Sequence, residues 1–76
     1  MTKERIKEIL GLGKYLKVRY RVKSIGSVDT DELCTPNFDD DTHLILHTDN
    51  WANDYYKIPY ADIIDVKPKG AKSWQR

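Results

Sequence analysis

The feature of the sequence that most restricts the fold is a strict two-residue alternation that starts at Leu16. Apolar residues stand at every second position, and Lys or Arg stands at each position between them: Leu16, Val18, Tyr20 and Val22 alternate with Lys17, Arg19, Arg21 and Lys23. Successive side chains of a β-strand point to opposite faces. The alternation therefore predicts a strand with one apolar and one wholly cationic face. Ile25 breaks the pattern before Gly26, which indicates a bulge or sharp bend there.

A short amphipathic helix is predicted before this strand, over about residues 3–10. Ile6, Ile9 and Leu10 follow one another at the i, i+3, i+4 spacing of one helix face, with charged residues between them. Thr2 is a suitable N-cap, and a Gly-Leu-Gly segment follows the helix and ends it. Two turns are too few to be stable alone, so the apolar face must dock on another element.

Three further strands are predicted along the rest of the chain, two of them stopped by a proline. They are His43–Thr48, Tyr55–Ile58 and Ile63–Lys67. The intervening segments are expected to be a long polar connection over 26–42, a turn over 49–54 and one 3₁₀ turn over 60–62. Part of the long connection is a candidate for a short strand, around Val28 or Leu33–Cys34. The apolar positions of these elements predict a core of Leu16, Val18, Tyr20, Val22, Leu44, Leu46, Ile58, Ile64 and Val66, with Ile6, Ile9 and Leu10 packed on it.

The length of 76 residues is that of a single small domain. Short strands in so small a chain are expected to curl into a barrel, which removes exposed sheet edges. The stretch YYKIPYADIIDVKP, residues 55–68, resembles the end of Sm-like and SH3-like small barrels, where a strand, a 3₁₀ turn and a closing strand follow one another. In element order the resemblance covers residues 3–67. The nucleotide pocket of RNA-binding Sm proteins is not found, so their RNA binding is not carried over.

The predicted fold class is therefore mainly β with one short N-terminal helix (α+β). The architecture is a small curled barrel of four to five antiparallel strands, SH3-like or Sm-like, and an ordinary α+β roll is the alternative. The single domain, 1–76, comprises the helix over 3–10, the barrel over about 14–67 and a loose basic tail over 68–76.

Charge is sorted by segment although the formal net charge is only +1. Residues 1–23 hold eight Lys or Arg and two Glu, residues 24–54 hold eight acids and no Lys or Arg, and residues 55–76 hold five Lys or Arg and two Asp. Two interpretations are open. The acidic segment folds over the cationic strand and neutralises it, or the two form separate patches of opposite charge.

Several classes of function are disfavoured. His43 and His47 would lie about 13 Å apart on a strand, too far to share a metal ion. No catalytic nucleophile with a base and no glycine-rich phosphate loop is found, so we expect no enzyme, no metal and no cofactor. The single cysteine, Cys34, excludes an internal disulfide. Without an apolar run of about 18 residues or a secretion signal, the chain is expected to be intracellular, in the reducing cytoplasm, and not in a membrane.

Two features are candidates for binding. Acids around apolar anchors favour docking on a protein, with Trp51 as a further contact; these residues are Asp29, Asp31, Glu32, Leu33, Phe38, Asp39, Asp40, Asp41 and Trp51. The cationic strand favours nucleic acid instead, through Lys14, Lys17, Arg19, Arg21 and Lys23, with Tyr15, Tyr55, Trp51 and Trp74 for stacking.

We expect a non-catalytic regulatory module that docks on a larger protein. In composition the chain resembles small phage-encoded proteins that inhibit host machinery, here machinery that handles nucleic acid. The alternative is a small nucleic-acid-binding barrel that uses the cationic strand. A third hypothesis is an assembly subunit that oligomerises through an exposed strand edge.

Overall fold

The structure, a computed structural model, describes residues 1–30, 32–48 and 55–74. The helix α1 spans Lys3–Leu10, which confirms the predicted bounds. Thr2 caps it, since its Oγ1 accepts a hydrogen bond from the Arg5 backbone N–H at 3.1 Å. The helix ends at Gly11, whose φ of 60° lies in the left-handed region that favours glycine.

Six strands follow α1 in the described residues. They are β1 (Leu16–Val22), β2 (Gly26–Asp29), β3 (Thr35–Asn37), β4 (His43–His47), β5 (Tyr55–Pro59) and β6 (Ile63–Pro68), with a 3₁₀ turn over Tyr60–Asp62. They form two three-stranded antiparallel sheets, β2-β1-β6 and β3-β4-β5. The expected strands at β1, β4, β5 and β6 and the 3₁₀ turn are confirmed. The turn expected over 49–54 lies outside the described residues.

The connection expected over 26–42 contains two strands, β2 and β3. β2 includes Val28, one of the two places at which a short strand is expected, and β3 begins directly after the other, Leu33–Cys34. The chain reverses sharply after β1, and Gly26, with a φ of 100°, pairs with Val22 at the start of β2. Thr30 then extends the pairing with β1, since its N–H donates to the Val18 carbonyl at 2.9 Å and its Oγ1 accepts from the Val18 N–H at 3.0 Å. Backbone pairing with β1 thus orders a segment whose side chains are mostly polar.

A bridge between Leu16 and Cys34 joins the two sheets. The Leu16 N–H donates to the Cys34 carbonyl at 3.0 Å, and the Cys34 N–H donates to the Leu16 carbonyl at 2.8 Å. Cys34 therefore lies beside the first residue of β1, and the chain enters the second sheet as β3 directly after it. In the described ranges no further pairing between the sheets closes them into a barrel.

The core lies under β1, β4, β5, β6 and α1. Its buried apolar residues are Ile6, Leu16, Val18, Cys34, Leu44, Leu46, Ile58, Tyr60, Ile63 and Val66. Ile9, Leu10 and Tyr20 are partly buried against this core. Val22 is also only partly buried, since β1 ends there.

The predicted burial of Ile64 is wrong. Ile63 is 4% exposed, whereas Ile64 is only partly buried. The cause is a register shift between β1 and β6: Arg19 pairs with Asp65 and Tyr20 with Ile63, so Ile64 is an extra residue between two pairs. A bulge of this kind reverses the parity of inward and outward side chains, which a period-two reading cannot anticipate.

The helix lies against β6 and reaches the 3₁₀ turn through Met1. The amino group of Met1 donates hydrogen bonds to the Tyr60 carbonyl at 2.8 Å and to the Ile63 carbonyl at 2.9 Å. Ile6, which is fully buried, anchors the apolar helix face in the core. Within the described ranges, none of the helical segments has the length and apolar character needed to cross a bilayer.

Candidate functional site

The outer face of the β2-β1-β6 sheet concentrates basic side chains from both ends of the chain. We call this surface the cationic face; its members are Lys17, Arg19, Arg21, Lys67 and Lys69, together with the acids Asp29 and Asp65. Lys17 lies directly opposite Lys67 in the β1–β6 register, and the next row pairs Arg19 with Asp65. Lys69 donates its backbone N–H to the Tyr15 carbonyl and so extends the face by one row. The surface has five basic residues against two acids.

Two aromatic rings lie among these cations. The ring centroid of Trp74 is 4.3 Å from the guanidinium carbon of Arg19 and 5.5 Å from Nζ of Lys67. Nζ of Lys69 lies 5.6 Å from the ring centroid of Tyr15. These are cation–π distances, which attract each ring to its cation. The tail, expected to be loose, therefore places Trp74 on the cationic face.

Arg19 is the partly neutralised centre of the face. Its Nε donates to Asp29 Oδ1 at 2.7 Å and its Nη2 to Asp29 Oδ2 at 3.1 Å, a bidentate pair. The hydrogen bonds from Arg19 lower the pKa of Asp29 below its usual value, and the charges of Lys67 and Lys17 add to this effect. On the other side of Arg19, Asp65 is 1% exposed, and its Oδ1 accepts from the Val66 N–H at 2.8 Å. The cations at the two ends of the face remain in excess.

The two remaining predicted nucleic-acid residues, Lys14 and Lys23, flank this surface. Arg21, a member of the face, is exposed near the end of β1, and Lys23 is exposed in the turn that follows. Lys14 is exposed before β1 begins. They extend the positive charge along the line of the strand, beyond the row that Arg19 and Asp29 occupy.

The acidic block Asp39–Asp41 lies elsewhere, beside α1 and the start of β4. Nζ of Lys3 donates to Asp41 Oδ1 at 3.2 Å and to the Phe38 carbonyl at 3.0 Å. In the described part of the chain, no hydrogen bond or ion pair of the block reaches the cationic face. Each of the two interpretations of the charge pattern therefore holds for part of the acidic segment. Asp29 neutralises a cation of β1, whereas Asp39–Asp41 form a patch separate from the cationic face.

Asp40 has a structural role in this block. Its Oδ1 accepts hydrogen bonds from the Thr42 N–H at 2.8 Å, the Thr42 hydroxyl at 2.9 Å and the His43 N–H at 3.0 Å. These bonds favour the ionised carboxylate and lower the pKa of Asp40 to about 2. The side chain shapes the turn that leads into β4, a use of Asp common in turns.

The remaining predicted docking residues do not form one exposed patch. Phe38 is partly buried against the core, with Nζ of Lys7 5.3 Å from its ring centroid. Glu32 and Leu33 are half-buried, and Asp39 is exposed. Asp31 and Trp51 lie outside the described residues.

A shallow groove crosses the outer face of the β3-β4-β5 sheet. Its volume is about 390 Å³, and it is lined by Asn37, Asp39, Ile45, His47, Tyr55 and Lys57. Ile45 stands between Asn37 and Lys57 in the strand register. The rings of His47 and Tyr55 form one end, with centroids 6.1 Å apart and planes tilted by 41°. An apolar floor with a few polar groups around it is the usual composition of a binding groove.

Within the described ranges, no group of three or more His, Cys, Asp or Glu residues is arranged so that it could hold a metal ion. His43 instead places Nδ1 2.7 Å from the Thr42 hydroxyl and 3.8 Å from Asp40 Oδ1. His47 contacts Tyr55 at the end of the groove. Cys34 is buried beside the Glu32 carbonyl.

No family model, no curated protein and no solved structure matches this chain.

Sequence reasoning missed Lys67 and Lys69 as members of the cationic face and missed the groove as a unit. Both are products of strand register, which brings β6 beside β1 and Tyr55 beside His47. The one available signal was the alternation of β6 itself, which places Lys67 on the side opposite the buried Val66.

Proposed function

We propose that the protein is a non-catalytic binding module whose cationic face binds the phosphate backbone of nucleic acid. The observation that supports this most strongly is the row of Lys17 directly opposite Lys67. Like charges directly opposite each other on neighbouring strands destabilise a sheet. Binding of a polyanion relieves the repulsion within this pair and beside Arg21 and Lys69, because each phosphate then neutralises a cation.

The proposal also draws on the aromatic rings. Basic side chains interleaved with exposed aromatic residues are the usual composition of nucleic-acid surfaces. Trp74 and Tyr15 stand in this relation to Arg19, Lys67 and Lys69. The described hydrogen bonds and ion pairs of Asp39–Asp41 are made with Lys3, Asn37 and the turn into β4, and none of them is made with the cationic face.

For the fold, we infer that the two sheets form a small, partly open barrel of the SH3-like or Sm-like kind. The Leu16–Cys34 bridge places the start of β3 beside the start of β1, and β2 pairs with the rest of β1, which gives the strand order β6-β1-β2/β3-β4-β5. The 3₁₀ turn between β5 and β6 carries the chain from one end of this order to the other. Such a curled order places the cationic face and the groove on different sides of the domain.

The test of the cationic face is a matched pair of charge reversals. Lys67→Glu reverses a charge in the centre of the face, and Lys57→Glu makes the same change on the outer face of the other sheet. At 4 Å in water a charge pair gives about 1 kcal/mol, so replacing an attractive contact by a repulsive one weakens binding by roughly 30-fold. We expect that loss for Lys67→Glu alone. Equal affinities of the two variants for an oligonucleotide would contradict the proposal.

Arg19 is unsuitable for this test. A glutamate there would stand beside Asp29 and opposite Asp65, so Arg19→Glu would lose the bidentate pair and destabilise the sheet. Lys67 forms no salt bridge among the described contacts; its ammonium lies 5.5 Å from the Trp74 ring centroid, and its charge acts on Asp29 from a distance. Thermal melting of both lysine variants checks that the fold is retained.

The second candidate function is docking on a protein, and the groove is the observation that favours it. Asp39, a member of the acidic block, lines the groove together with Ile45 and Tyr55. An apolar floor with a charged rim suits a protein contact, with Tyr55 as the anchor. If a partner protein binds in the groove, Tyr55→Ala should speed the dissociation of that partner, and Asp39→Asn should slow its association. Lys67→Glu would leave both rates unchanged.

A further inference from the structure

We propose that the cationic face is selective for single-stranded nucleic acid, with an unstacked base packed on the indole of Trp74; this inference rests on the proposed function. The face carries two kinds of side chain, and a single strand of nucleic acid has a binding partner for each. Lysine and arginine side chains suit its phosphates, and a flat aromatic ring suits its bases.

The position of Trp74 supports this role. Its ring lies over the boundary between two rows of the face, within 4.3 Å of the Arg19 guanidinium and 5.5 Å of the Lys67 ammonium. These two cations hold the indole in place by cation–π attraction. The side chain remains partly exposed, so part of the ring is open to a ligand. A base stacked there would lie beside the cations that bind its own phosphates.

Tyr15 offers a second ring on the same face. It stands one row beyond Lys17, and Lys69 lies 5.6 Å from its ring centroid. Successive rows on one strand face are about 6.6 Å apart, because two residues each rise about 3.3 Å. The two rings therefore flank the Lys17–Lys67 row, and a strand that crosses the face meets alternating charge and ring.

A duplex meets this surface less favourably. Its bases are stacked and paired inside the helix, so it offers phosphates and the edges of bases, but no base face that could stack on Trp74. The rings then gain nothing from stacking. Base–aromatic stacking is worth enough to change affinity by between about 5- and 100-fold per base. The ring of Trp74 is thus expected to set the preference between the two forms, and the lysines to set the overall affinity.

The experiment measures affinity by fluorescence anisotropy for four probes at one low salt concentration. The probes are a single-stranded DNA and a single-stranded RNA of about 12 nucleotides, a DNA duplex of the same length, and inorganic polyphosphate. The protein variants are Trp74→Ala and Trp74→Leu, which remove the aromatic ring, and Trp74→Phe, which keeps one. Leu12→Ala is the control, since Leu12 is fully exposed in the turn after α1 and belongs to neither sheet.

We expect the wild type to bind a single strand of DNA or RNA more tightly than the duplex. Trp74→Ala and Trp74→Leu should weaken single-strand binding by about 5- to 100-fold and change duplex and polyphosphate binding less than about twofold. Trp74→Phe should retain most of the preference, and Leu12→Ala should change nothing.

Equal affinity for duplex and single strand would overturn the inference and leave phosphate binding by the face intact. An equal loss on all four probes in the Trp74 variants would also overturn it, because the ring would then act only by positioning Arg19 and Lys67. If no probe binds, both the inference and the proposed function fail.

Discussion

Because of the bulge in β6, we expect truncation of two neighbouring isoleucines to lower the free energy of unfolding by different amounts. Ile63 is 4% exposed and belongs to the core, whereas Ile64 is partly exposed between two register pairs. Truncation of a buried Ile to Ala costs about 2–5 kcal/mol, because transfer energy is lost and a cavity forms. At Ile64 no closed cavity forms and only part of the side chain leaves a protein environment, so we expect about 1 kcal/mol.

These magnitudes are large for a chain of 76 residues, whose total stability is expected to be about 4–11 kcal/mol. A loss of 1 kcal/mol lowers the melting temperature of so small a domain by about 4–8 °C. Ile63→Ala should therefore melt roughly 10 °C or more below the wild type, and Ile64→Ala about 5 °C below it.

The assay is urea denaturation of the two variants beside the wild type, followed by circular dichroism. A lower midpoint with an unchanged slope reports lost stability without a change in the unfolded state. The reasoning is refuted if Ile64→Ala costs as much as Ile63→Ala or more. That result would restore the unbroken alternation and remove the register shift between Arg19 and Tyr20.

Three further predictions concern side chains outside the cationic face. Thr30→Val should cost about 1–3 kcal/mol in urea denaturation, because the buried Val18 N–H loses its acceptor, whereas Thr30→Ser keeps it; equal stabilities would contradict this. Asp40 has a lowered pKa of about 2, so its contribution is complete above about pH 4 and is lost as the pH falls toward 2. The free energy of unfolding of Asp40→Asn, measured by urea denaturation, should therefore fall less steeply than that of the wild type over this pH range. Parallel pH profiles would contradict the role of the Asp40 carboxylate as an acceptor in the turn. Phe38→Ala should cost about 2 kcal/mol by thermal melting, less than a fully buried Phe; an unchanged melting temperature would favour Phe38 as a free docking anchor.

The sequence predicts those elements whose pattern is strong and local. The 3.6-residue spacing around Ile6 and the two-residue spacing of β1 and β4 each identify an element within one or two residues of its bounds. Pro59 marks the end of β5 and the start of the 3₁₀ turn. In these segments local propensity and burial agree, so the prediction needs no knowledge of neighbouring strands.

The elements that are predicted least well depend on long-range pairing. β2 and β3 have the compositions GSVD and TPN, which lack any strand-like run of apolar residues. They are strands because β1 and β4 supply hydrogen-bonding partners for their backbones. Strand propensity depends strongly on such context. The burial of Ile63 in place of Ile64 has the same origin, since only the pairing with β1 determines where the extra residue of β6 lies.

The candidate site divides in the same way. Lys17, Arg19 and Arg21 are predictable because one strand places them on one face. Their neighbour Lys67 is not, because the β1–β6 pairing joins residues about 50 positions apart. Trp74 is a predicted stacking residue, but its place beside Arg19 and Lys67 depends on that same pairing. The contact between Asp29 and Arg19 likewise required the hairpin of β1 and β2.

The central claim is that cations of this face contact phosphates, and its most direct test is the salt dependence of binding to a single-stranded oligonucleotide. For single strands the logarithm of the association constant falls with the logarithm of salt concentration by about 0.7 per phosphate contacted. Contacts by Lys17, Arg21, Lys67 and Lys69 predict a slope of about −3 between about 50 and 200 mM salt. A slope near zero, or no binding at the lowest salt, would contradict the account.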